Sequence, residues 1–127
     1  MIVLVAMITL IQFSANPAPH CYQEAIDEIV KKFNRHQIDE IKKAPVKIAQ
    51  YNIPSFVESK WLNNDDELYN QFKKEGIHDK MLISLFIARG VQLRILGKTI
   101  DYKSELDKLR KKQAEIETVL QHPPANE

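Results

Sequence analysis

Residues 81–96, MLISLFIARGVQLRIL, are apolar on nearly every face of a helix, interrupted only by Arg89, Gln92 and Arg94. A helix with no polar stripe has to be surrounded, so this stretch predicts a central helix at about residues 80–96 wrapped by the rest of the chain. The other segments carry the one-sided patterns that wrapping needs. Ala25, Ile26, Ile29, Val30 and Phe33 form a 3.6-period stripe, with Glu24, Asp27, Glu28, Lys31 and Lys32 opposite. Asn34 and Gln37 stand in capping-box positions at the head of a second helix, which turns Ile38 and Ile41 inward and which Pro45 ends or redirects. Residues 46–51 read as a helical turn, followed after a break by a short helix over 55–61.

Asn63, Asn64, Asp65 and Asp66 are a polar start signal for a helix carrying Leu68, Tyr69 and Phe72, and Gly76 closes it in a left-handed cap. His78 or Asp79 opens the central helix and Gly97 ends it. The last helix, about 102–121, repeats Leu106, Leu109, Gln113, Ile116 and Leu120 at 3-4 spacing, a narrow seam suited to the bundle or to a second chain. Pro123 and Pro124 stop it. No segment alternates as a strand does. The expected fold is all-α, a small irregular bundle of four to six helices with a long C-terminal helix.

At 127 residues the chain has room for one domain. Its 18 Lys+Arg and 17 Asp+Glu nearly cancel, which argues against a nucleic-acid partner. None of these charges lies before Glu24. Residues 1–21 therefore read as a signal-like apolar leader, 22–121 as a single helical domain and 122–127 as a disordered tail. The apolar run over 1–13 gives about 20 Å of helix, short of the roughly 30 Å bilayer core, so export outweighs a spanning helix. No basic residue precedes the run. Cutting after Ala18 leaves Pro19 next, and cutting after Ala15 puts Phe13 where a small residue is wanted. Contact with a membrane is expected only through an uncleaved N-terminus over 1–20 or a lipidated Cys21. As the single cysteine, Cys21 has no disulfide partner within the chain.

Three of the four histidines, His36, His78 and His122, are candidates as ligands or bases. His36 and Glu40 share a helix face at i, i+4, but nothing near them supplies a third metal ligand. His78 and Asp79 follow a helix-ending glycine, where capping competes with an acid/base role. His20 lies at the leader junction and His122 beside the diproline tail. No nucleophile elbow, phosphate loop, C-x-x-C pair or H-E-x-x-H helix occurs. No catalytic residue, metal or cofactor is expected. Lys42-Lys43, Lys73-Lys74 and Arg110-Lys111-Lys112 sit among acidic neighbours and read as solvated faces.

Two features suit a contact surface better. Arg89 and Arg94 must pair with carboxylates, from the 65–67 acidic group or the last helix, or reach the surface. Trp61, with Tyr51, Phe56 and Tyr69 close in sequence, reads either as core or as a binding hot spot. Trp61, Tyr69, His78, Asp79, Arg89 and Arg94 are thus the candidate partner-binding residues. Oligomeric state is left open.

The residues Leu68, Phe72, Gly76, Ile77, His78, Asp79, Met81, Ile83, Ser84, Leu96, Gly97, Lys98 and Ile100 form a Leu-x3-Phe-x3-Gly-Ile-His, Asp-x-Met and Leu-x-Gly-Lys-x-Ile pattern. That pattern resembles an uncharacterised bacterial domain family of small, often exported helical proteins. The likeness runs from about Ala25 to Leu106, with a single Trp61 where the family has a Trp-rich segment. It implies a helical domain in the bacterial envelope, the periplasm included, and no defined activity. The function expected is that of an exported, non-catalytic protein acting by protein contact, of inhibitor or immunity type. A small envelope enzyme built on His78 and Asp79, or a helical adaptor, is the alternative.

Overall fold

Asn34 accepts the Gln37 amide at 2.8 Å while the Gln37 side chain accepts the Asn34 amide at 2.8 Å, which closes the capping box its spacing calls for. Such local rules run through the computed structural model, which describes residues 18–121. Among them the protein is all-α, with six α-helices, one 3-10 helix and no strand. We number the helices α1 (Tyr22–Lys31), α2 (Arg35–Lys43), α3 (Ile53–Trp61), α4 (Glu67–Lys74), α5 (Lys80–Ile95) and α6 (Tyr102–Gln121), with the 3-10 helix Pro45–Tyr51 between α2 and α3. Residues 1–17 of the 1–21 leader and the tail over 122–127, His122 included, lie outside the described residues.

α3 begins two residues before the expected start. Asn52 takes a left-handed turn at φ 56°, ψ 42°, and Pro54 falls in the first helical turn, where its missing N–H has no intrahelical acceptor to lose. The α4 terminus is a Schellman motif. Gly76, at φ 83°, donates its N–H to Lys73 O at 3.0 Å and Ile77 donates to Phe72 O at 2.9 Å. Ile77 and Phe72 are both fully buried, so the cap also locks a hydrophobic corner.

α5 packs against α3 and α1, and less extensively against α6 and α2. Its residues Ile83, Ile87 and Val91 have no exposed surface. It is central, but it is not wrapped on every side. Met81 is 62% and Leu85 49% exposed; with the exposed Arg89 they mark one strip at i, i+4 and i+8. The neighbouring helices leave that strip uncovered, and an all-round apolar pattern contains no mark of which side will lack a neighbour.

A ring cluster joins the two ends of the described chain. The Tyr22 ring centroid lies 5.7 Å from Phe72, 5.5 Å from Phe86 and 5.0 Å from Tyr102. These tilted and edge-on pairs add roughly 0.5–1.5 kcal/mol each beyond area burial. Trp61 packs edge-on against Phe56 at 5.0 Å.

A candidate functional site at the α4–α5 corner

The turn between α4 and α5 leaves several backbone groups without helical partners, and one side chain of α6 meets three of them. Gln113 Oε1 accepts the N–H of His78 at 2.7 Å and of Asp79 at 2.9 Å, while its Nε2 donates to Gly76 O at 2.9 Å. Gln113 is buried. Asp79 caps α5, accepting the Leu82 amide at 3.0 Å. Tyr69 donates its hydroxyl to His78 O at 2.7 Å. Its ring lies beneath the ammonium groups of Lys73 and Lys80, at 4.5 Å and 5.2 Å. Burial first, and the Asp79 charge second, hold the Tyr69 phenol above its ordinary pKa.

His78 turns its ring outward to Glu117, with Nε2 2.8 Å from Oε2. The pair is about half exposed. His78 is thus not the cap of α5, a role that Asp79 takes, and its ring partner is Glu117. One helical turn behind Gln113, Arg110 donates to Glu75 O at 2.7 Å and to its carboxylate at 2.9 Å, and to Asp107 at 2.7 Å. The hydrogen bond to Glu75 is the main cause of a raised Arg110 pKa. α6 is therefore clasped to the end of α4 by Arg110 and to the head of α5 by Gln113.

Beyond Glu117 the helix continues without such contacts. Residues 118–121 are all exposed, Val119 at 57% and Leu120 at 76%, and Ile116 before them is half-buried. The seam foreseen along α6 thus divides: Leu106 and Gln113 are buried in the bundle, and its apolar end is left open.

The other candidates lie elsewhere. Trp61 is 1% exposed and Tyr69 7%, so both are core side chains and neither offers a contact surface in this fold. Arg89 pairs with Glu105 of α6 at 3.4 Å, and Arg94 with Asp27 of α1 and with the Tyr102 hydroxyl. The carboxylates are not those of the 65–67 group, and both guanidiniums remain substantially exposed rather than buried, at 59% and 40%. His36 and Glu40 stand 3.6 Å apart on the surface. Sequence reasoning placed Gln113 only as filler of an apolar seam. An amide in that register is the one signal that pointed to a buried polar contact, and nothing local marked Arg110.

A shallow groove of about 790 Å³ runs along α4, lined by residues that include His20, Glu67, Gln71 and Lys74. In it His20 Nδ1 lies 2.8 Å from Glu67 Oε2. That hydrogen bond, then the charges of Glu67 and Glu24, raise the His20 pKa above 6.5. Because the folded value is the higher one, the pair's contribution is complete at pH below the unfolded value and fades as pH rises through the folded one. In an NMR titration His20 should titrate above 6.5, and Glu67→Gln should bring it down; an unchanged midpoint in that variant would contradict the pairing.

Among the described residues no three His, Cys, Asp or Glu side chains are grouped to hold a metal ion, and no helix is long and apolar enough to cross a membrane. No family model matches the sequence, and no curated protein or solved structure is similar enough to carry a fold or an activity over to it.

Proposed function

We propose that this chain is an exported, non-catalytic helical protein of the bacterial envelope that acts by protein contact, as an inhibitor or immunity-type protein does. The observation that carries this reading is the open end of α6. Val119 and Leu120 stand exposed beside half-buried Ile116, on a helix whose preceding turns are clasped by Gln113 and Arg110. An apolar contact on a helix anchored one to two turns back loses less conformational freedom on binding than one on an unanchored segment. The apolar run over residues 1–13 is the feature that supports export.

The test is chemical cross-linking in the envelope fraction of expressing cells, comparing the native chain with Val119→Lys/Leu120→Lys. A stoichiometric partner captured by the native chain and lost by the variant is expected, with unchanged thermal unfolding because both side chains are exposed. A partner retained by the variant, or none with the native chain, overturns the proposal. The same exposed seam favours pairing of α6 with a second copy, and light scattering that shows a dimer only in the native chain would identify this chain as its own partner.

A further inference from the structure

Residues 18–21 stand between an apolar leader and the first helix, where a loose linker is the ordinary expectation. They form a strap fixed to the bundle instead. Pro19 is buried, and Ala18 packs against the hydrophobic core. The His20 amide donates to Glu24 Oε1 at 3.2 Å, and its ring reaches Glu67 on α4. Cys21, extended at φ −150° and ψ 167°, is the N-cap of α1, and its carbonyl accepts the Ala25 N–H at 2.9 Å. Next to it the Tyr22 amide donates to Gln71 Oε1 at 3.2 Å, and the Tyr22 ring enters the aromatic cluster.

We infer that every mature form of the chain keeps residues 18–21, that any cut removing the leader falls N-terminal to Ala18, and that Cys21 is a capping residue with a free thiol rather than an acylated terminus. This rests on the export reading above. A chain cut inside the strap could not rebuild these contacts when it folds, so a mature domain that uses them starts at or before Ala18. A new terminus at Cys21 would discard the buried Pro19, the packed Ala18 and the His20 bridge to α4. It would also set an ammonium at the first turn of α1, against the positive end of the helix dipole. Cleavage between Ala18 and Pro19 is opposed from both sides, by the burial of Pro19 and by the proline following the cut.

Intact mass and N-terminal sequencing of the full chain recovered from an exporting bacterium test this directly. A start between residues 2 and 18, with one titratable thiol per unfolded chain and no added lipid mass, is the expected result. A start at Pro19 or later, or a lipid adduct on Cys21, overturns the inference. An unprocessed Met1 start supports retention of the strap and overturns instead the reading of residues 1–17 as a removed leader, so the two failures are distinguishable. Cys21→Ser, which preserves a good N-cap, should be processed at the same bond; loss of processing in that variant would count against the inference as well.

Discussion

Gln113→Leu is expected to lower unfolding free energy by about 3 kcal/mol, the mean cost of leaving buried backbone groups unmet being roughly 1–3 kcal/mol each. Three groups are at stake, the N–H of His78, the N–H of Asp79 and the carbonyl of Gly76. The full sum is not reached, because leucine adds apolar burial in the seam and water reaches part of the corner. In a domain of this size the loss corresponds to a fall in Tm of about 15 °C. Gln113→Glu separates the contributions. Its carboxylate still accepts from His78 and Asp79 but can no longer donate to Gly76 O, so it should lose less than leucine and recover on acidification, when the carboxyl regains a proton. Urea unfolding followed by circular dichroism measures both; a leucine variant within about 0.5 kcal/mol of the native chain would show that the clasp contributes little.

At Gly90 the expected effect is as large and has the opposite origin, too much atom rather than too few bonds. A Cβ there would lie 2.4 Å from Ile26 Cδ1 and 3.0 Å from Cγ1, and Ile26 is fully buried. α1 and α5 approach so closely at this point that an added Cβ has to displace the end of the buried Ile26 side chain. Gly90→Val should destabilise by about 3 kcal/mol through overpacking. For Gly90→Ala, a gain of about 1 kcal/mol in helix propensity offsets part of the clash, leaving a net loss of about 1 kcal/mol. Ile26→Val removes the Cδ1 atom. Combined with Gly90→Ala it should cost less than the two single changes added together, with a coupling of about 1 kcal/mol. Simple additivity in that cycle would show that the clash is relieved elsewhere.

The features legible in the sequence are those whose causes are local. Asn34 and Gln37 announce their capping box because both partners lie within one turn, and Gly76 and Asp79 mark the end of α4 and the start of α5 for the same reason. Arg89 and Arg94 show the limit. Their charge demanded partners, yet which carboxylates serve, Glu105 and Asp27, follows only from how α6 and α1 lie along α5. Trp61 was ambiguous because a lone tryptophan suits a core or an interface equally well, and burial resolves it to the core. Met81 and Leu85 matched the surrounded pattern of their helix in composition, but whether a neighbour covers them depends on the number and angle of the helices around them. Gln113 was found in register and missed in role, since the groups it meets come from a turn more than 30 residues away in sequence.

The aromatic cluster around Tyr22 has a consequence in time. The N-terminal ring is among the first parts of the domain to be synthesised, yet it waits for Phe72, Phe86 and finally Tyr102 before its seat is complete. At about 5–20 residues per second, the roughly 80 residues between Tyr22 and Tyr102 take on the order of 4–16 s to emerge. During that interval α1 has helical propensity but no core to lie on, and too few residues to hold a helix by itself. The start of the domain is thus made early and fastened late, which leaves a window of seconds in which the apolar face of α1 has nothing to lie on.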